Sequence, residues 1–355
     1  MTKEQLQENA IGLLKQLIAT PSFSKEEAQT AAIIESFLQG HGCQTNRQFN
    51  NIWARNKYFD HSKPTILLNS HHDTVKPNKG YTLDPFTPIE KDGKLFGLGS
   101  NDAGGSLVSI ISVFVYFHEQ KNLKYNFILG ISAEEEISGK NGVEALLSVL
   151  PPIYCGIVGE PTLLQMAIAE RGLMVLDCVA KGKAGHAARN EGENAIYNAM
   201  ADIDWICTYQ FEKVSEFLGP VKMTVTSIET ENKAHNVVPS DCKFIVDVRL
   251  NELYSHEEIQ EIIEKNLKSS VDMRSDRLRS SKISLDHPLV KAGLNLGRSY
   301  YGSPTSSDKA LMPFPALKIG PGDSARSHTA DEFIFVDEIR EGIDLYIQLL
   351  NQVVK

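Results

Sequence analysis

Residues 66–73, with the sequence ILLNSHHD, set the architecture expected for this chain. The first three form a short apolar run that suits a strand buried on both faces. Alternate side chains of a strand share a face, so His71 and Asp73 point the same way while His72 points elsewhere. Asp73 can then accept the second ring N–H of His71 and fix its tautomer, as happens behind metal-binding histidines. A polar turn after a strand has the same composition, so this stretch needs support from the rest of the chain.

Further apolar runs along the chain predict more strands and helices, which alternate with each other. Residues 127–131, FILGI, suit a second buried strand, and residues 105–120 between the two have the length of a helix. Helical spacing of apolar residues predicts further helices over residues 4–18 and 337–353. The alternation predicts an α/β fold with helices on both faces of a sheet. Such folds place their sites at the carboxyl ends of the strands.

The pattern changes near residue 170. From there the chain predicts elements in the order β-α-β-β-α-β, which is the ferredoxin-like order. The predicted strands are residues 173–180, 221–228, 243–250 and 282–285, and the predicted helices are residues 195–211 and 256–267. We therefore expect a ferredoxin-like domain, residues 170–282, inserted into a catalytic domain made of residues 1–169 and 283–355.

Charge and composition argue against several classes of function. The 355 residues carry a formal net charge of −9, which disfavours binding to nucleic acid phosphates. The five cysteines are scattered without a disulfide framework or metal clip, which favours reduced thiols in a cytosol. The amino terminus lacks the features of a signal peptide, and the longest apolar run, residues 107–117, is too short to span a bilayer. We expect a cytoplasmic protein with no membrane partner.

A glycine-rich segment contains the next acidic candidate. Residues 97–102 read GLGSND, but they lack the third glycine of a dinucleotide-binding loop, which argues against an oxidoreductase of that type. Asp102 precedes Gly104, Gly105 and the predicted helix, where an aspartate by itself is more often a helix cap. Its carboxylate has two oxygens and could instead bridge two cations.

Carboxylates and a histidine follow other strands and turns. Residues 134–136 are three glutamates at the end of the run 127–131. Adjacent carboxylates at the end of a buried strand are costly unless cations neutralise them, although a solvated acidic turn is the alternative. Glu160 ends another apolar run, and His328 follows a glycine-proline turn.

Together these short motifs predict a hydrolase with two metal ions. Such a site needs about five ligands, one of them bridging, and a base for the water. Histidine nitrogen and carboxylate oxygen suit zinc, and neighbouring transition metals such as cobalt.

Several residues in other parts of the chain fit common structural roles when each is considered alone. Ser24 and Glu27 fit a capping box at the start of a helix. His186 fits a histidine in a surface loop, and Asn236 precedes a short strand-like segment. Arg249 fits a surface salt bridge, although it could clamp a carboxylate through two parallel hydrogen bonds.

Taken in order, the motifs resemble the dinuclear zinc aminoacylase and carboxypeptidase family. Its members include acetylornithine deacetylase, succinyl-diaminopimelate desuccinylase and glutamate carboxypeptidase. The resemblance runs from residues 21–24, PSFS, to residues 328–332, HTADE. It implies a zinc-peptidase-like catalytic domain with a mixed sheet. It also implies an inserted lid domain through which such enzymes usually form a homodimer.

The resemblance implies the metal ligands. His71 and Glu160 would bind one zinc ion, and Glu136 and His328 would bind the other. Asp102 would bridge the two ions. Cobalt is the alternative to zinc at both positions.

The resemblance also implies the catalytic and substrate-binding residues. Glu135 would be the general base, and Asp73 would orient the neighbouring histidine ligand. His186 would reach the active site of the partner subunit and stabilise the oxyanion. Arg249 and Asn236 would hold the carboxylate and carbonyl region of the substrate.

The compact length and the segments 70–75, SHHDTV, and 320–323, GPGD, look most like acetylornithine deacetylases and their relatives. The expected reaction is hydrolysis of the amide bond of N-acetylornithine, N-succinylornithine or N-acetylcitrulline, in arginine biosynthesis. Leu98 and Glu134 stand where family members often have Arg and Asp, which affects specificity more than catalysis. The alternatives are a dipeptidase or aminopeptidase on the same scaffold, and a metal-binding protein that has lost activity.

Overall fold

The computed structural model describes residues 2–189 and 191–355, which divide into two compact units. The larger unit comprises residues up to 168, 283–301 and 307–355, and the smaller unit comprises residues 169–282 and 302–306. The inserted domain was predicted as residues 170–282 alone. The additional five-residue segment of the smaller unit is too short to show a periodic pattern in the sequence.

Helices and strands alternate along most of the chain. The helices are α1 (Lys3–Ile18), α2 (Ala28–Gly40), α3 (Gly105–His118), α4 (Val143–Leu147), α5 (Ala195–Thr208), α6 (His256–Asn266), α7 (Pro288–Asn295) and α8 (Val336–Val354). The strands are β1 (Thr45–Gln48), β2 (Asn51–Arg55), β3 (Thr65–His71), β4 (Ile89–Lys91), β5 (Lys94–Phe96), β6 (Asn126–Ser132), β7 (Cys155–Val158), β8 (Met166–Glu170), β9 (Gly172–Lys181), β10 (Gly185–His186), β11 (Lys222–Glu229), β12 (Val237–Val238), β13 (Asp241–Leu250), β14 (Ser270–Met273), β15 (Ser281–Lys282), β16 (Tyr300–Ser303), β17 (Ala316–Lys318) and β18 (Phe333–Phe335).

The larger unit is built on a mixed sheet with the strand order β1-β2-β6-β3-β7-β17-β8. β3 is parallel to both β6 and β7, and β17 is parallel to β7, whereas β1, β2 and β8 join in antiparallel pairs. Every residue of β3 and β6 is buried, which agrees with the apolar runs at residues 66–68 and 127–131. The apolar helix α3 packs against α1, α8 and these two strands. The predicted α/β class is confirmed.

The smaller unit has the predicted β-α-β-β-α-β order. Its antiparallel sheet has the strand order β11-β13-β9-β14, with α5 packed on β9, β11 and β13. The strand predicted at residues 282–285 is wrong, because the fourth strand of this sheet is β14. β14 is a short edge strand of sequence SVDM, which carries a weaker apolar signal than the later segment. The residues of β15 pair instead with Ala169 and Glu170.

Within the described residues, no helix is both long and apolar enough to cross a membrane.

Candidate active site

The parallel strands of the larger unit bring most predicted site residues together. β3 ends at His71, residues 135 and 136 follow β6, and Glu160 follows β7. Carboxyl ends of neighbouring parallel strands lie at one edge of a sheet. Residues far apart in the chain therefore share one site.

His71 is the buried centre of this group. Its Nε2 atom lies 3.3 Å from Asp102 Oδ1, 3.9 Å from Glu160 Oε1 and 4.0 Å from Glu135 Oε2. Its Nδ1 atom lies 3.0 Å from the main-chain oxygen of Asp73 and 3.4 Å from the carboxylate oxygen Oδ1 of the same residue. Nδ1 is thus occupied by Asp73, which leaves Nε2 directed at the carboxylates.

The carboxylate of Asp102 lies between two histidines. Its Oδ1 atom faces His71, while its Oδ2 atom lies 3.6 Å from Nε2 of His328. The same Nε2 atom lies 3.0 Å from Oε2 of Glu136. Each oxygen of the Asp102 carboxylate therefore lies near the Nε2 atom of a different histidine.

The turn that carries Asp102 is held by a buried carboxylate to which the sequence analysis gave no role. Glu332 accepts hydrogen bonds from the backbone N–H groups of Gly99, Asn101 and Asp102, at 3.2, 2.8 and 2.9 Å. Gly99 has a φ of 75°, and a Cβ atom there would lie 2.5 Å from a methyl group of Thr74. The turn therefore requires glycine at this position.

Burial and crowding shift the pKa values of these groups. Burial opposes the charged form of His71, but the carboxylates of Glu135 and Asp102 outweigh it and hold the pKa of His71 well above its usual value. Burial also holds the pKa of Glu135 well above its usual value. The hydrogen bond to Glu136 raises the pKa of His328 to about 9.

The donor set fits metal cations. His71, Asp102 and Glu136 each offer a ligand atom, and these atoms all lie within 4.8 Å of one another. Imidazole nitrogen and carboxylate oxygen together suit zinc and cobalt. Buried carboxylates at such short distances are costly unless cations neutralise them. The cluster is therefore compatible with a metal site.

The predicted capping box at Ser24 is wrong, and the structure gives this residue a different contact. α2 begins at Ala28, and Glu27 precedes it without a side-chain capping bond. Ser24 Oγ instead donates to Asp73 Oδ2 at 2.7 Å. The two oxygens of Asp73 also accept the backbone N–H groups of residues 135 and 136, at 3.0 and 3.1 Å. This carboxylate thus supports both the histidine and the glutamate loop.

A buried aspartate beside the site, Asp308, was not predicted from the sequence. Asp308 accepts a hydrogen bond from the hydroxyl group of Ser132 at the end of β6, and burial raises the pKa of Asp308 to about 6. Its segment, PTSSDKA, shows no motif, and only the folded chain brings it near the strand ends.

His72 lies outside the cluster, as the alternation of a strand predicts. Its ring nitrogens lie 2.9 Å from the hydroxyl group of Thr30 and 3.0 Å from the main-chain oxygen of Asn50. Burial lowers the pKa of His72 to about 4. It is a neutral structural residue at neutral pH.

The other predicted residues belong to the smaller unit. His186 is exposed in β10, and the N–H group of Ala187 donates to the carbonyl oxygen of Asn236 at 3.0 Å. These two segments are therefore neighbours. Arg249 in β13 donates two hydrogen bonds to the carboxylate of Asp247, at 2.8 and 3.0 Å. The substrate roles of His186, Asn236 and Arg249 stay predictions.

We expect Glu332→Gln to lower the free energy of unfolding by about 1–3 kcal/mol, because the new amide NH₂ group would face a buried backbone N–H of the Asp102 turn. Equilibrium unfolding in urea measures this loss. Asp331→Asn is the matched control, since that carboxylate lies at the surface and accepts from Thr82 and Leu83. The Asp331→Asn variant should lose less stability, and equal stability of Glu332→Gln and the unaltered protein would contradict the assignment.

Comparison with known proteins gives concordant results. The model of peptidase family M20/M25/M40 matches residues 67–352. The succinyl-diaminopimelate desuccinylase of Rickettsia bellii is 25% identical over 380 residues, covering 96% of this chain and 95% of that protein. The family resemblance predicted from the sequence is confirmed, but these relatives are desuccinylases and do not support the closer likeness to acetylornithine deacetylases.

Solved structures share the fold at low sequence identity. Aminopeptidase PepT from Bacillus cereus has a TM-score of 0.77 and 18% identity, with 98% of each chain covered. The YXEP protein of Bacillus subtilis, described as a dinuclear metal-binding peptidase, has a TM-score of 0.73 and 16% identity, with 99% of each chain covered.

Proposed function

The chain belongs to peptidase family M20/M25/M40, and on this basis we propose that it uses two bound metal ions to hydrolyse the amide bond of an N-acyl amino acid. The observation that carries the proposal is the carboxylate of Asp102, which faces His71 with one oxygen and His328 with the other.

The proposed ligand sets are those that the family resemblance implies, and the short distances around Asp102 support them. His71 and Glu160 would hold one metal ion, Glu136 and His328 would hold the second, and Asp102 would be shared by both. Zinc is the proposed metal and cobalt the alternative. Such a metal pair, when bound, acts as a Lewis acid and makes a water molecule acidic enough to lose a proton near neutral pH.

Glu135 is the proposed general base and acid. Its carboxylate lies 4.0 Å from His71 at the edge of the cluster, and burial holds its pKa well above the usual value of a glutamate, which favours uptake of a proton. It takes a proton from the attacking water and later delivers it to the nitrogen of the leaving amine. Asp73 keeps His71 and the backbone of Glu135 in position for this transfer.

The acyl group and the amino acid define the finer part of the proposal. The sequence motifs favour N-acetylornithine, N-succinylornithine or N-acetylcitrulline, which would belong to arginine biosynthesis. The desuccinylase relatives instead favour a succinyl group and diaminopimelate as the amine. A dipeptide is the second candidate, because the solved structures of the same fold include an aminopeptidase.

The deciding experiment is amine release from a panel of these substrates. We expect cleavage of one N-acyl amino acid with Zn²⁺ or Co²⁺ added, and loss of at least about 99% of the activity after chelation, because the reaction depends on the metals. Cleavage of dipeptides alone would move the function to the peptidase class. Bound metal without any turnover would favour a protein that has lost its activity.

A homodimer formed through the smaller unit is part of the proposal. β11 is an edge strand of its sheet, and an unpaired strand edge is a ready surface for a second chain. The same unit exposes Tyr197, Met200 and Ile228, each more than half exposed. Analytical ultracentrifugation would detect the dimer, and a monomer at all concentrations would contradict it.

His186→Ala should lower turnover about 10²-fold and leave metal content unchanged, because this histidine is proposed to stabilise the oxyanion. Steady-state kinetics and metal analysis measure the two effects separately. His235→Ala, another exposed histidine of the same unit, is the control and should keep full activity. Loss of metal in His186→Ala would mean that its proposed role is wrong.

A further inference from the structure

The larger unit contains a cavity that shares no residue with the Asp102 cluster. It has a volume of about 670 Å³ and lies between the β1–β2 hairpin and the end of α3. Small-molecule sites commonly have volumes of this order. Trp53 and Arg55 lie on the same face of β2, and Asn46 of β1 is the direct neighbour of Trp53.

Arg55 is held in this cavity by aromatic rings. Its guanidinium carbon lies 5.2 Å from the ring centre of Trp53 and 5.0 Å from that of Phe59. Such contacts stabilise a cation but leave its hydrogen-bond donors unused. In residues 2–189 and 191–355, the Arg55 side chain has no ion pair and no hydrogen bond, and its Nε atom is buried.

The charge of the cavity is opposite to that of the protein. The chain has a net charge of −9, yet the cavity is lined by Arg55 and Lys57 and by no acidic side chain. Lys57 is neutralised by Glu119 at 2.7 Å, so Arg55 is the cation without a counter-charge. His118 forms part of the wall with its Nδ1 atom buried and unpaired, and burial lowers its pKa, which keeps the ring neutral.

We propose that this cavity binds a small metabolite bearing a carboxylate or phosphate group, with Arg55 as the residue that holds the anion. A fixed guanidinium presents parallel N–H donors that match the oxygens of either group. The contacts with the rings of Trp53 and Phe59 help to keep the guanidinium oriented before the ligand arrives, which reduces the ordering that binding requires. The bound anion would supply the missing counter-charge.

The tryptophans of the chain allow a local test. The sequence has two, Trp53 in the cavity and Trp205 in the smaller unit. In a Trp205→Phe background the tryptophan fluorescence therefore reports on the cavity alone. The metal-loaded protein is titrated with gluconate, glucose 6-phosphate and glucose, which present a carboxylate, a phosphate and no charge on similar carbon chains.

We expect a saturable change in Trp53 fluorescence with gluconate, with glucose 6-phosphate or with both. The compound that produces the change shows whether the cavity binds a carboxylate or a phosphate. Arg55→Gln should weaken binding about tenfold or more, the usual effect of losing a charged hydrogen bond. Arg55→Lys, which keeps the charge but loses the parallel donors, should give an intermediate affinity. Arg298→Gln should have no effect, since that arginine also has a buried, unpaired Nε atom but lies outside the cavity.

Three results would overturn the proposal. The first is no saturable change with either anion up to about 1 mM, the weak end of specific binding. The second is an equal response to glucose, which would make the charge irrelevant. The third is unchanged affinity in both Arg55 variants, once thermal unfolding shows that they are folded.

Discussion

Glu135→Gln should lower turnover by about 10²- to 10⁴-fold, the range that general acid–base catalysis usually contributes. Glutamine has nearly the same size as glutamate, but its amide cannot accept the proton of the attacking water. Because Glu135 is not among the proposed ligands, metal content should stay at the level of the unaltered protein. Single-turnover kinetics and elemental analysis of the dialysed protein measure the two quantities.

Glu134→Gln is the matched control for this result. It makes the same change at the adjacent residue, whose Oε1 atom accepts a hydrogen bond from Asn141 at 3.2 Å. A glutamine oxygen can accept that bond, so this variant should keep most of its activity. Similar losses in both variants would indicate a general effect of the acidic loop, and a highly active Glu135→Gln would remove the base from the mechanism.

Asp102→Asn should have the second large effect, on metal affinity. The amide offers one oxygen and no negative charge, whereas the proposed bridge needs an oxygen on each side. We expect the affinity for metal to fall by more than about 100-fold, beyond the 10–100-fold that changes behind the ligands usually cause. Calorimetric titration of the metal-free protein measures this change, and turnover should fall with it.

Asp84→Asn is the control for the bridge. Asp84 is an exposed turn residue that accepts hydrogen bonds from Phe86 and Thr87, and it lies outside the cluster. Its variant should bind metal like the unaltered protein. If Asp102→Asn also bound two ions with full affinity, the proposal that Asp102 bridges the two metal ions would be wrong.

The sequence predicted candidate site residues at the ends of central strands, and the structure brings them close together for a geometrical reason. β3, β6 and β7 are buried, apolar and parallel, so each is visible in the sequence and all end at one edge. The polar residues after them are conspicuous because they interrupt apolar runs. His71 and Glu160 could therefore be selected without knowledge of the fold.

The residues that hold the site in shape could not be predicted in this way. Ser24 carried a local pattern for a helix cap, but its hydroxyl bonds to Asp73, which is distant in the chain. Glu332 and Asp308 act through buried contacts with the Asp102 turn and with β6, and no local pattern encodes such contacts. The edge strand β14 was missed because two apolar residues are too few for a periodic signal.

The order of the cluster residues along the chain also determines when, during protein synthesis, the cluster can assemble. His71 and Asp102 are synthesised before the smaller unit, whereas His328 and Glu332 emerge after the whole of it. A nascent chain, or a fragment cut before residue 328, therefore contains four of the five proposed ligands but lacks His328 and the carboxylate of Glu332 that shapes the Asp102 turn. The proposed metal site is therefore complete only after the segment that follows the smaller unit has been synthesised.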